Sequence, residues 1–143
     1  MVELGRSAGE DYPLVIFVNG HGGNAEPLAR ARATLEHEHR PVLVWSPRLV
    51  DGDSHAGRTE TSVLLAIAPE VVQLDRAEAG VTTPLPELLA DLRAGGLAAV
   101  TPNGVLGDPT GATADEGRAI LEAWADDLVV TITAALATNP PNR

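Results

Sequence analysis

Between Pro13 and Val18 the chain reads PLVIFV, an apolar run rich in β-branched residues that stops abruptly at Asn19-Gly20. A strand with one wet face alternates polar and apolar residues, so a run without alternation belongs in a sheet covered on both faces. Such a strand needs helices to cover it. The following His21-Gly22-Gly23-Asn24 supplies glycines that tolerate unusual dihedrals and an Asn able to cap a helix, with Pro27 in its first turn. Leu28, Ala31 and Leu35 then recur at helical spacing, which predicts a helix from about Ala25 to His37. Pro41 to Trp45 (PVLVW) reads as a second buried strand. Strand, helix and strand of these lengths make a parallel crossover unit, and open sheets of that kind place ligands at the carboxyl ends of their strands. His21 falls at such an end.

The rest of the chain reads less sharply. Val2 to Ala8 resembles the back end of a helix, and Pro47 to Arg58 is a polar, glycine-containing loop. Thr59 to Val72 sets Leu64, Ile67, Ala68 and Val71 along one helical face, with Pro69 ending or bending it. A short helix is expected at Leu85 to Leu92, closing with Gly95-Gly96, and Ala98 to Val100 is a third strand candidate. After the turn-rich stretch Thr101 to Ala112, Thr113 and Glu116 stand in a capping-box relation. They open a long helix whose inward stripe is Leu121, Trp124, Leu128, Ile132 and Ala135, and Asn139 to Arg143 forms a frayed tail. With 143 residues, one domain spanning 1–143 is expected. Two or three strands make a poor sheet alone.

Charge and cysteine count narrow the chemistry. A formal charge of -10, with arginine as the only strong base, opposes phosphate backbones and anionic lipid, so neither nucleic acid nor a membrane is expected as a partner. With no cysteine, any metal must be held by His, Asp or Glu. No stretch is apolar for the roughly 18 residues of a membrane span, and Met1 to Asp11 lacks the apolar centre of a signal peptide. A cytoplasmic protein is the default expectation.

Four histidines are the natural places to look for function. His37 and His39 sit at a helix end among Glu36, Glu38 and Arg40, where solvation or the helix carboxyl terminus accounts for them. His21 and His55 each lie beside glycine in a polar loop after a buried strand. Two readings stand for them: loop histidines bonded to backbone, or ligands at the mouth of the sheet. The amides of Gly22 and Gly23, at a helix start, could hold a carboxylate or oxyanion, or those glycines simply make the turn. Asp53, His55 and Glu60 form a second cluster, in which Glu60 either aims back at the strand ends or merely favours the helix dipole. Thr59 and Ser62 fit caps or packing positions, since no Gly-x-Ser-x-Gly elbow surrounds either. Gly104 to Gly111 lacks the lysine of a phosphate-binding loop.

Three motifs in order carry a resemblance: NGHGGN at Asn19 to Asn24, HAGRTETS at His55 to Ser62, and GDPTGATADEGR at Gly107 to Arg118. Together they resemble the creatininase family of metal-dependent amide hydrolases. NGHGGNAEPL and the WSPR before the second motif are most similar to the branch that removes a carboxyl-terminal Val-Tyr dipeptide from the precursor peptide of the redox cofactor mycofactocin.

The resemblance implies a three-layer α/β/α fold with a mostly parallel sheet, a metal site at the strand ends, and a ring-like homo-oligomer, commonly a hexamer. By motif position it implies His21 as a metal ligand and Glu60 as a second ligand or a base. His55 would contact the substrate or stabilise the tetrahedral intermediate, and the cofactor would be a divalent metal, zinc or iron, with manganese also suited. Gly22 and Gly23, with Asn24, would hold a substrate carboxylate. Creatinine-cleaving members carry Tyr-x-Asn-like or Glu-containing versions of the segment after the histidine where this chain has Gly22-Gly23, which weighs against creatinine as substrate. Arg58 would place a substrate carboxylate or serve as an exposed structural arginine. Family members begin with a Glu-x-His-Gly-Pro-His-Leu-Pro segment and an Asp-x-Asp that supply further metal ligands, and nothing in Met1 to Asn19 matches these. A chain truncated at its amino terminus is therefore expected. The alternatives are a relative acting on a small cyclic or formyl amide, or an inactive fragment. The hydrolase reading requires His21 and Glu60 to serve one shared cation.

Overall fold

The computed structural model describes residues 1–48 and 52–138, so the frayed tail expected at 139–143 and part of the loop after Pro47 lie outside the described residues. The chain divides into two compact units, one of Met1–Arg48 with Trp124–Arg143 and the other of Leu49–Ala123.

The first unit holds α1 (Val2–Asp11), β1 (Val15–Val18), α2 (Ala25–His37) and β2 (Val42–Trp45). β1 and β2 pair in parallel, with Val15 opposite Val42 and Val18 opposite Trp45. The parallel α/β reading holds. Leu28, Ala31 and Leu35 are the buried residues of α2, as their spacing predicts, and Leu35 is only 1% exposed. Gly5 of α1 is buried because α1 meets α2 there: a β-carbon at Gly5 would stand 2.5 Å from Leu35 Cδ1. Trp45 is buried with its indole Nε1 donating to Asp127 Oδ2 at 2.7 Å, which meets the need of a buried indole for an acceptor. A helix does begin the chain, and it runs on to Asp11.

Two sequence expectations are corrected here. β1 is half-buried rather than covered on both faces, and Val18 is 60% exposed. Among the described residues the sheet has two strands, with α2 packed against β2 and α1 against β1, which leaves part of its surface uncovered. The third strand candidate is a 3₁₀ turn, Leu97–Ala99, in the second unit. Gly96 at φ 69° starts that turn, and Val100 and Thr101 both donate their amides to the Leu97 carbonyl, which consumes the bonds a strand would offer.

The second unit holds α3 (Arg58–Ile67), α4 (Leu85–Gly95) and the start of α5 (Ala114–Thr138), joined by 3₁₀ turns. α3 stops before Pro69, which opens a 3₁₀ turn instead. A backbone ladder ties its loops: Gly80 and Val81 donate to Gly107 and Val105, and His55 exchanges two backbone bonds with Leu106. α3 meets the first turns of α5 closely at Gly117, where a β-carbon would stand 1.8 Å from the Ser62 carbonyl oxygen. Along α5, Leu121, Trp124, Leu128, Ile132 and Ala135 are all half-buried, so the predicted stripe is present.

Candidate functional site

His21 lies three residues past the end of β1 with extended backbone, at φ −142° and ψ 129°. Its setting begins at Asn19, which is buried and donates from Nδ2 to Ser46 Oγ at 3.1 Å while its Oδ1 accepts the His21 amide at 3.2 Å. The His21 Nδ1 accepts the Gly23 amide at 3.0 Å and so caps the 3₁₀ turn Gly22–Asn24 that leads into α2. A β-carbon at Gly23 would lie 2.9 Å from that same Nδ1, so only glycine fits without moving the ring. In a neutral imidazole this bond leaves the proton on Nε2. One of the two glycine amides read as a carboxylate cradle is thus donated to His21. Gly22 and Asn24 are exposed, and Asn24 precedes α2 without a side-chain cap bond.

His55, Arg58 and Glu60 belong to the second unit. Glu60, in the first turn of α3, folds back so that its Oε2 accepts the Ala56 amide at 2.6 Å. The same oxygen stands 3.7 Å from His55 Nδ1, and both side chains are about half exposed. The structure thus brings the predicted His55 and Glu60 together. Ala56 between them has φ 51°, the left-handed region that a non-glycine residue enters at a cost.

Arg58 turns its Nε to both carboxylate oxygens of Glu116 at 2.9 and 2.8 Å, so it is in part a structural arginine tying α3 to α5. The Asp108 carboxyl, capping the turn Pro109–Gly111, lies below its ordinary value. The Thr110 hydroxyl bond is the largest cause, followed by the Thr110 amide, with the charge of Arg58 adding to both.

Asp53, grouped with His55 and Glu60 on sequence, has another occupation. Its Oδ1 accepts the Thr59 amide at 3.0 Å, and its Oδ2 accepts the amides of Arg58 and, at 3.3 Å, Asp108. Glu116 was legible only as a capping residue. Its link to Arg58 and Ser62 spans more than fifty positions and leaves no local signal. The clue to Asp53 is its place shortly before a helix start, where a carboxylate satisfies free amides.

A metal needs several converging donors, usually three protein ligands in a catalytic zinc site. Among the described residues no group of three or more His, Asp or Glu side chains could hold one. His21 and Glu60 are donors of a suitable kind, but each already accepts a backbone amide. The described residues therefore do not fit a complete metal centre.

The family model described as creatininase, creatinine amidohydrolase, matches residues 2–132. The mycofactocin precursor peptide peptidase of Mycobacterium ulcerans is 54% identical over 132 residues, covering 92% of this chain and 53% of the relative. The corresponding peptidase of Mycolicibacterium smegmatis is 54% identical over 121 residues, covering 84% of this chain and 49% of its own length. The chain spans about half the length of these curated relatives. Among solved structures, a mutant creatininase of Zn-Zn type superposes with a TM-score of 0.72 at 24% identity, covering 98% of this chain and 62% of the other. A creatinine amidohydrolase gives 0.71 at 22%, covering 98% and 61%. The likeness shows a shared α/β fold, and the family model, matched over residues 2–132, shows that this chain belongs to the creatininase family.

Proposed function

We propose that this chain, read as one creatininase-like domain, belongs to an amide-bond hydrolase that removes the carboxyl-terminal Val-Tyr dipeptide from the mycofactocin precursor peptide during cofactor biosynthesis. The observation that carries the reading is the 54% identity, over 92% of the chain, to a mycofactocin precursor peptide peptidase. The His55–Glu60 pair supports it, because a carboxylate beside an imidazole is suited to moving a proton during hydrolysis.

In this reading a water oxygen bonds to the scissile carbonyl carbon while Glu60 takes the water proton. Glu60 then delivers that proton to the leaving nitrogen as the carbon–nitrogen bond breaks. His55 donates to the carbonyl oxygen while it bears negative charge. Arg58 receives a substrate carboxylate through the guanidinium nitrogens not bound to Glu116. Gly22, Gly23 and Asn24 bind substrate by backbone and amide groups, with the Gly23 amide first released from His21. In this reading His21 and Glu60 would be two of the ligands to a divalent metal, zinc or iron, with manganese also suited, which would polarise the scissile carbonyl when bound; the described residues alone do not complete its shell, and no step above is routed through it. The protein works in the cytoplasm as a homo-oligomer, its partner being the precursor peptide. Among the described residues no helix is long and apolar enough to cross a membrane.

The test is to incubate the protein, supplied in turn with zinc, iron and manganese, with the precursor peptide, creatinine and a formamide. Mass spectrometry should find free Val-Tyr. Turnover of a small amide without Val-Tyr release, or no turnover of any substrate, would overturn the proposal.

A further inference from the structure

The Asp53 carboxylate stands among backbone amides from two segments: those of Arg58 and Thr59 at the start of α3, and that of Asp108 in the loop beyond Gly107. Two glycines admit it. A β-carbon at Gly57 would stand 1.8 Å from Asp53 Oδ2, and one at Gly107 would stand 2.3 Å from the same atom. Gly107 also has φ 153°, and just before it Leu106 exchanges backbone bonds with His55. The loop bearing His55 is therefore held on one side by that bridge and on the other by Glu60 Oε2 on the Ala56 amide. Asp53 is the group that joins the two anchors, because it fastens both the facing loop and the helix that carries Glu60.

We propose that Asp53 is a positioning residue, which sets the spacing of His55 and Glu60 by clamping the first amides of α3 to the Asp108 loop. The proposal deepens the hydrolase reading and rests on it for its catalytic consequence. An ionised carboxylate accepts several amides at once, whereas an Asn side chain would point its own NH₂ at some of the same donors. Removing the charge should loosen the start of α3 and release Glu60 from Ala56.

The experiment compares the full chain with Asp53→Asn and Gly57→Ala, the second expelling the carboxylate by bulk. Glu26→Gln, which removes an exposed ion-pair partner of Arg30 in the first unit, is the control. Amide hydrogen exchange should rise about tenfold or more at Ala56, while Leu35 stays protected. Cleavage of the precursor peptide should lose about tenfold in kcat with KM within about twofold, because misplacement of the reacting groups spares binding. An unchanged Ala56 exchange rate in folded Asp53→Asn would overturn the positioning role. Should neither variant fold, native-state exchange in the unaltered chain decides: the amides of Ala56, Arg58, Thr59 and Asp108 should open together, and independent opening overturns the proposal. Absence of peptide cleavage by the unaltered chain would remove the hydrolase reading alone, since the exchange results stand without it.

Discussion

Ser62 donates its hydroxyl to Glu116 Oε2 at 3.1 Å and accepts the Thr113 amide at 3.1 Å, so the hydroxyl stands inside the capping arrangement at the start of α5. Thr113 keeps its own half by accepting the Glu116 amide at 3.2 Å. The Glu116 carboxylate, which in the simple motif would return to the Thr113 amide, is thereby freed for Arg58. Because Ser62 is fully buried, Ser62→Ala leaves an amide and a carboxylate oxygen without their partner. The expected loss is about 1–3 kcal/mol, read from urea unfolding of the variant against the parent.

Gly117→Ala should cost more. The added methyl meets backbone, the Ser62 carbonyl and the Val63 amide, neither of which can rotate away. A loss of about 3 kcal/mol or more is expected, seen as a large fall in melting temperature or as insoluble expression. A variant as stable as the parent would refute the close crossing of α3 and α5.

Asp127→Ala removes the acceptor of the Trp45 indole and should destabilise the first unit by about 1–3 kcal/mol. Asp127→Asn retains an oxygen acceptor and should restore most of the loss. Unfolding followed by tryptophan fluorescence checks both variants.

Glu38 sets an acid limit. The Arg6 guanidinium bonded to its carboxylate holds the Glu38 carboxyl below its ordinary 4.5, with the charges of Arg40 and His37 adding to the effect. A depressed folded value means stability present above the unfolded value and lost as pH falls through the folded one. Stability should therefore decline below pH 4.5, and Glu38→Gln should flatten that decline while matching acidified parent. Equal acid slopes for parent and variant would contradict the assignment.

Glu60→Gln keeps an oxygen for the Ala56 amide yet removes the base. On the proposed mechanism kcat for the precursor peptide should fall about 10²–10⁴-fold with little change in melting temperature. Retained turnover would point away from Glu60 as the proton carrier.

Periodicity and punctuation make much of the fold legible in the sequence. Leu28, Ala31 and Leu35 announce α2 because one face of a helix repeats at that spacing, and Pro69 marks the end of α3 because it cannot donate its amide. Burial of the strands is not legible there, since an apolar run does not report how much of its sheet the rest of the chain covers. Ala98 to Val100 failed as a strand because the preceding glycine takes a left-handed turn that a short Ala-rich segment cannot oppose. In the site, the proximity of His55 to Glu60 follows from one loop and one helical turn and could be read locally. The hold of Asp53 on the first amides of α3 was open to the same local reading, whereas its bond to Asp108 and the link of Glu116 to Arg58 lie beyond any local window.

The left-handed backbone at Ala56 is tied to the Glu60 carboxylate. Its N–H is engaged by Glu60 Oε2, a bond that offsets part of the cost of that well, so a group that displaced the amide from this oxygen would free the peptide next to His55. Loading of the carboxylate and relaxation of the adjoining chain would then be two faces of one event, with the backbone of a single alanine as its reporter.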